Sequence, residues 1–395
     1  MTLWEEFVEF APGREVAGYF ERASDGSRGV GVAVAFDRAE QILTVRRREP
    51  LHAIARTTER FLAEPRSAVV GYLGFDAVGL FEPALAPNVP EGPFPLGELA
   101  LVRNARVERA EPTPRRSLRP GPVERPSSDS LPAKAYGRSV RRLVEAIRAG
   151  EAFQVVLAHR REWPRPHDLL VRAARLRATE RFAFFYYLKF GGREIVGATP
   201  ESVVEVRGDH AYVSPIAGTL PARPSGGPRP PLARDPKELA EHRMLVDLAR
   251  NDLGAVSRPG SVELVWEERR KRYARLEHLV SRVHGHLRKG VGPWGALAAT
   301  FPAGTVSGAP KIRATELLRA EEATWRGPYA GTVALLRPHR VADFALAIRT
   351  GFAEGRRLYT AAGAGIVHRS DPAREFNETL SKLEHVEAML VGGWR

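Results

Sequence analysis

Short apolar runs rich in β-branched and aromatic residues make up most of this chain, and helical periods interrupt them only singly. Gly29 to Phe36, Ser67 to Phe75, Phe153 to Leu157, Phe182 to Phe190, Ser202 to Val206 and Ala211 to Val213 carry strand character. Val262 to Trp266, Val280 to Leu287, Gly331 to Leu336, Asp343 to Arg349 and Leu358 to Ala362 continue the pattern. Helical period shows at Tyr136 to Ala149, where Val140, Leu143, Val144 and Ile147 share a face, and again at Asp235 to Asp252 and Asp371 to Leu390. A parallel sheet would need strands and helices in strict alternation. Strand clusters broken by isolated helices predict an α+β fold instead.

A chain of 395 residues buries enough surface on folding to need no covalent staple. One stretch is compositionally foreign: from Ala110 to Ala135 proline, serine and arginine crowd together with no apolar period. It reads as a surface linker or long loop. It divides a β-rich N-terminal subdomain (1–109) from a larger C-terminal domain (136–395). The chain has no cysteine, which excludes a disulfide framework, a zinc ribbon, an iron–sulfur site and a thiol nucleophile. No apolar run approaches the ~20 residues of a membrane span. The opening Met1-Thr-Leu-Trp-Glu-Glu-Phe is acidic and amphipathic, unlike a secretory signal. A cytoplasmic protein without a membrane partner is expected. Lys and Arg number 60 against 47 Asp and Glu, a formal charge of +13. The charges are dispersed rather than gathered into a tract, which disfavours a nucleic-acid face. With 31 prolines and three methionines, the mixture suits a thermophile protein with surface ion pairs and stiff loops.

Two acidic pairs carry the first chemical signal. The helix predicted from Asp235 opens Asp235-Pro236-Lys237-Glu238-Leu-Ala-Glu241-His242, and Glu238 and Glu241 share a face. A structural reading is available: Asp235 as N-cap, Pro236 in the first turn, Glu238 completing a capping box. In the terminal helix, Glu375, Glu378 and Lys382 fall at roughly 0°, 300° and 340° around the axis, a single polar stripe. Two helices each presenting Glu-x-x-Glu could bring four carboxylates to one point, an oxygen set suited to Mg²⁺. Two unrelated solvated faces are the plain alternative.

Glycine turns carry the second. Phe301-Pro-Ala-Gly-Thr-Val-Ser-Gly-Ala-Pro-Lys311 lacks the glycine–lysine pair of a P-loop, yet its small residues would let backbone N–H groups approach an anion. Gly363-Ala364-Gly365 and Gly218-Thr219 are of the same type. With Arg349 near a strand end, they suggest a small anionic ligand held largely by backbone. Gly290-Val-Gly-Pro-Trp-Gly295 fits G-x-G-x-x-G in form but contains proline and has no βαβ setting, so it reads as a turn. His278, His284 and His286 could ligate a metal by type. The last two alternate on one face of a predicted strand and read as exposed.

At these motifs the sequence resembles the chorismate-utilising enzymes, and most closely the synthase subunits of the anthranilate synthases. The resemblance covers roughly Gly150 to Ala388, with a weaker reach to Gly71-Tyr-Leu-Gly-Phe-Asp-Ala-Val78. Its motifs are Phe153 to Leu157, Pro215 to Thr219, Glu241 to Gly254, Phe301 to Lys311, Arg326 to Gly331, Ala347 to Thr350 and Ala362 to Val367. The resemblance implies a two-domain sandwich of large antiparallel sheets with helices outside, the 136–395 segment being the catalytic, chorismate-binding domain. Glu241 and Glu378 would ligate Mg²⁺ directly, with Glu238 and Glu375 acting through water. Glu201 would be the general acid for the departing C4 hydroxyl, in a Thr199-Pro-Glu201 setting where relatives commonly have serine before the proline. His278 would assist loss of pyruvate, and Tyr329 and Arg349 would contact the pyruvyl carboxylate. Thr305, Gly218, Thr219, Gly363, Ala364, Gly365 and Lys382 would make the remaining contacts.

The implied reaction is amination of chorismate by ammonia followed by expulsion of pyruvate, giving anthranilate for tryptophan biosynthesis. Relatives that add water carry a lysine base at the position of Gln154, and glutamine cannot deprotonate water. The aminodeoxychorismate synthases, the alternative, typically carry lysine where this chain has Ala217. Without cysteine the chain cannot hydrolyse glutamine through a thiolate. Ammonia from solution or from a separate glutamine amidotransferase subunit, in a hetero-oligomer, is therefore expected. Tryptophan-inhibited relatives carry Leu-Leu-Glu-Ser where this chain has Tyr19-Phe-Glu-Arg22, and a proline-containing stretch where it has Glu180 to Phe185. Weak or absent tryptophan binding is expected. A basic scaffold protein without activity is the competing class, and the retained Glu201, Glu241, His278 and Glu378 argue against it.

Overall fold

The run ending at Phe190 shows how the layers form. Phe184, Tyr186, Leu188 and Phe190 join one buried cluster while Phe185 and Tyr187 join another. Successive strand side chains point to opposite faces, so a continuous apolar run marks a strand covered on both sides. The structure, a computed structural model, describes residues 1–24, 31–110, 123–180, 182–221, 236–273, 276–322 and 324–392; side chains of 88, 217–238, 267–268 and 270–278 are outside the description.

The N-terminal segment supplies β1 (Val16–Arg22), β2 (Val32–Phe36), β3 (Gln41–Val45), β4 (Ser67–Leu73), β5 (Gly97–Arg103) and β6 (Arg106–Arg109). Next come β7 (Ser128–Asp129), β8 (Gln154–Pro164), β9 (Phe184–Phe190), β10 (Arg193–Thr199), β11 (Ser202–Arg207), β12 (His210–Val213) and β13 (Ile216–Pro221). The chain closes with β14 (Glu263–Tyr273), β15 (Leu276–His286), β16 (Gly308–Ala309), β17 (Thr332–Arg337), β18 (Val341–Leu346), β19 (Thr350–Glu354) and β20 (Arg357–Ile366). The helices are α1 (Leu3–Phe10), α2 (Leu51–Phe61), α3 (Val78–Phe81), α4 (Ala133–Arg148), α5 (Leu169–Thr179), α6 (Pro236–Gly254), α7 (Pro293–Thr300), α8 (Gly304–Ser307), α9 (Lys311–Glu322) and α10 (Pro372–Leu390).

Two ten-stranded antiparallel sheets result. The first runs β16-β8-β20-β19-β10-β9-β1-β2-β6, with β7 on β8; the second runs β13-β15-β12-β11-β18-β17-β4-β5-β3, with β14 on β15. The α+β class expected from the strand pattern is observed, as are the large antiparallel sheets that the resemblance implies. Residues 1–109 give three strands to each sheet, so the boundary near 110–135 separates stretches of chain and not sheets in space. Of that boundary stretch, 111–122 lie outside the described residues. Beyond it, Ser128 and Asp129 pair with Glu162 and Arg161 on the edge of β8, so edge hydrogen bonds order what composition alone reads as loop.

The larger cluster of buried side chains fills the space between the sheets, and the face of α4 read from its period (Val140, Leu143, Val144, Ile147) joins it. Burying each such side chain stabilises the fold by roughly 1.5–3 kcal/mol. A second cluster covers the outer face of the first sheet: Trp4 and Phe7 of α1, Leu169 and Leu176 of α5, Leu383 and Val386 of α10. This pins α10, with its acidic stripe, onto the sheet that contains β20. Among the described residues no helix is long and apolar enough to cross a membrane.

Candidate active site

One two-stranded ribbon passes from the first sheet into the second. β10 pairs with β19 with Gly197 opposite Thr350, and β11 pairs with β18 with Ser202 opposite Ala345. The register is the same on both sides of the junction, so 199–201 lie opposite 346–348. Leu346 N–H donates to the Glu201 carbonyl at 2.9 Å, and Ala198 N–H to the Arg349 carbonyl at 3.4 Å. Pro200 has no N–H to give, and Arg349 sits at φ 52°, a conformation that few non-glycine residues adopt. The ladder is interrupted there and the sheets part. Sequence periodicity, which carries the strand from Asp343 on to Arg349, misses this exit at Leu346.

A cleft opens at the junction, and Glu201, Thr305, Tyr329, Arg349, Gly363 and Lys382 all line it. Six residues predicted from sequence thus share one cavity. Glu201 is 6% exposed; its Oε1 accepts from the Thr305 hydroxyl of α8 at 2.8 Å. Lys382 Nζ donates to the Gly363 carbonyl of β20 at 2.8 Å and lies 2.9 Å from the Glu378 carboxylate. Burial pushes the Tyr329 hydroxyl above its ordinary range, so it stays protonated. A second hollow, between Arg47, Glu91 and Trp325, holds none of the predicted residues.

The acidic helices meet the same stretch of β20. Glu241 Oε1 accepts from the Gln154 amide at 2.9 Å and would lie 3.6 Å from a Cβ placed on Gly365. That Cβ would also meet the Gln154 amide, so a side chain there would displace the group that bonds Glu241. Glu378 reaches Gly363, two residues away, through Lys382. Glu375 is buried; burial, then the charges of Glu375 and Glu378, pushes the Tyr136 hydroxyl well above its usual range. Among the described residues, Glu241, Glu375 and Glu378 do not form a group of three with oxygens all within 4.8 Å of one another. Gln154 Oε1 is buried and has no hydrogen-bond partner among the described residues. The side chains of Glu238, Gly218, Thr219 and His278 lie outside the described residues, although α6, β13 and β15 carry their backbones. Ala364 is fully buried on β20, opposite Leu157 of β8.

Supporting residues emerge that spacing could not single out. Buried Arg326 donates to the carbonyls of Val306 at 2.7 Å and Val156 at 2.8 Å, and pairs with Glu322 at 2.5 Å. It therefore locks α8, and with it Thr305, to β8. Asp76 accepts from the N–H groups of Arg326 at 3.0 Å and Gly327 at 2.7 Å, fixing the turn that carries Tyr329. The glycines of 301–311 serve packing: a Cβ on Gly304 would strike Leu248, and one on Gly308 the Gln154 carbonyl. Lys311 pairs with Asp252 at 2.9 Å, tying α9 to α6. Two glycines of this loop thus admit close approach of neighbouring elements, and Thr305 and Val306 line the cleft.

Known proteins of the same build bear on this site. The family model described as chorismate binding enzyme matches residues 16–388. Anthranilate synthase component 1 of Streptomyces coelicolor is 38% identical over 364 residues, covering 80% of this chain and 71% of that protein. Its counterpart in Methanothermobacter thermautotrophicus is 39% identical over 334 residues, covering 80% and 72%. The crystal structure of anthranilate synthase component I from Streptococcus pneumoniae superposes with a TM-score of 0.74 at 26% identity, covering 95% of this chain and 92% of that one. With the match running through both sheets and the cleft between them, the chain belongs to the chorismate-binding enzymes.

Proposed function

We propose that this enzyme is the synthase component of an anthranilate synthase, a Mg²⁺-dependent lyase converting chorismate and ammonia to anthranilate and pyruvate. The observation that carries the reading is the meeting of Glu201–Thr305, Arg349 and the two acidic helices on one stretch of β20. The curated relatives named for that activity support it.

The donor set suits the ion. Glu241 and Glu378 would hold Mg²⁺, with Glu238 and Glu375 behind them, because carboxylate oxygens match a hard cation that keeps several waters. The unpartnered Gln154 Oε1 beside Glu241 is an acceptor for a bound water or for ammonia. When bound, the ion neutralises the ring carboxylate and orients the substrate. Arg349, with Tyr329, takes the pyruvyl carboxylate. Thr305 holds the Glu201 carboxyl through Oε1, and Glu201 passes its proton to the C4 hydroxyl leaving as water. Gly218, Thr219, Ala364 and Gly365 shape the rest of the site, and His278 assists the departure of pyruvate. Ammonia comes from a glutamine amidotransferase partner in the cytoplasm.

Incubation with chorismate, Mg²⁺ and ammonium at alkaline pH, followed by product identification, tests the reading. Blue-fluorescent anthranilate with equimolar pyruvate is expected. Aminodeoxychorismate as the product, or chorismate left unconsumed, would overturn it.

A further inference from the structure

A second cluster of metal-ligating side chains lies at the end of β11 remote from Glu201, about 20 Å along the strand. β11 and β12 turn at Gly208 (φ 67°) and Asp209. The antiparallel register sets His210 of β12 opposite His286 of β15, Tyr212 opposite His284, and Glu263 of β14 opposite His284. Residues two apart share a face, so three imidazoles are brought to one side of the second sheet. Their rings stack: His210 lies 4.8 Å from His286 and 5.1 Å from His284, centroid to centroid, and Tyr212 lies 4.9 Å from His284. The reading of His284 and His286 as exposed positions is corrected here, since their side chains are 14% and 29% exposed.

The hydrogen bonds form a directed chain. Glu263 Oε1 lies 3.0 Å from His284 Nδ1, and a carboxylate only accepts, so Nδ1 carries the proton. His284 Nε2 meets His210 Nδ1 at 2.8 Å. His210 Nε2 faces Asp209 Oδ1 at 3.4 Å, and Asp209 Oδ2 meets His286 Nε2 in a short hydrogen bond. Protons can hold these contacts, and a metal ion bound at the same point takes their place on the two ring nitrogens. One ligand atom each from Asp209, His210 and His286 lies within 4.8 Å of the others, close enough to contract around an ion at ~2.0–2.1 Å.

We infer that Asp209, His210 and His286 form a binding site for a divalent transition metal of the zinc type, separate from the carboxylate cleft. Two imidazoles and one carboxylate are a zinc set, whereas the cleft offers oxygens alone. His284 and Glu263 act behind the ligands, fixing the tautomer of His210, the arrangement usual for metal-bound histidine. Arg258, 3.6 Å from Asp209, is the competing cation. Asp209 and His210 are each 44% exposed, so the ion has an entry path and a fourth position open to water. Bound there, it clasps the β11–β12 turn to β15.

The full chain, freed of metal by chelator and dialysis, is titrated with ZnCl₂ by calorimetry and, separately, with Co²⁺ by visible absorption. One equivalent of zinc, a rise in melting temperature and a Co²⁺ spectrum of four-coordinate type are expected. His286→Ala and the exposed turn variant Asp209→Asn should each weaken binding by about 100-fold, and His284→Ala by about 10-fold with stoichiometry intact. Glu241→Gln and Glu378→Gln should leave zinc uptake unchanged, which separates this site from the cleft. Absence of saturable uptake, or uptake untouched by His286→Ala and Asp209→Asn together in variants whose circular dichroism is native, would overturn the inference.

Discussion

Glu201 is the residue whose surroundings say most about its task. It is buried at a break in a ladder, takes one hydrogen bond from Thr305, and faces a cleft whose cations are Arg349 and Lys382. Glu201→Gln keeps the shape and the Thr305 contact but removes the proton. Chorismate turnover is expected to fall by about 10²–10⁴ while substrate binding, read by calorimetry, changes little. Gln154 holds Glu241 through its amide; Gln154→Leu should raise the Mg²⁺ concentration for half-activation by about 10–100-fold. Glu201 was legible in sequence through its motif, and Glu375, Glu378 and Lys382 through helical spacing. Arg326 was quoted within a motif without a role: Glu322 is a local partner four residues earlier, but the carbonyls of Val306 and Val156 are 20 and 170 residues away and spacing does not point to them.

Among elements, the turn held by Asp76 connects packing with the site. Burial pushes its carboxyl above the ordinary value against the pull of Arg319, the Gly327 amide and Arg326. A folded pKa above the unfolded one means that the folded state binds the proton more tightly. That contribution to stability is complete below 3.8 and is lost as pH rises through the folded value. Asp76→Asn should flatten this slope in urea melts as pH rises above 3.8. Asp76→Ala, which leaves the buried N–H groups of Arg326 and Gly327 without their acceptor, should cost about 2–4 kcal/mol. The α4 face could be read from its period, as could most strand positions, because those signals are local. Partners are not local: β1 pairs with β9 across the whole central stretch, and nothing within Val16–Arg22 names Phe184–Phe190. For the same reason the glycines at 304 and 308 suggested a ligand when each in fact admits a neighbouring element.

At the scale of the molecule, Arg22 of β1 reaches the second sheet. It is 4% exposed and lies 3.5 Å from the buried Asp343 of β18. A guanidinium joined to an aspartate between the sheets leaves little room where an effector serine is replaced. Titration calorimetry with tryptophan is expected to give no saturable heat, and activity should be insensitive to tryptophan; micromolar binding would contradict this.

The ribbon that changes sheets at Pro200 has a consequence for how this protein can be altered. Glu201 and the 346–349 crossing are successive rungs of a single two-stranded ladder, half of it built into each wall. Neither wall owns the chemistry, so no excised half could retain a weakened version of it. Shuffling one sheet with that of a relative would have to carry both strands of the ribbon across together, and a graft that divides them would yield a well-packed but inert sandwich.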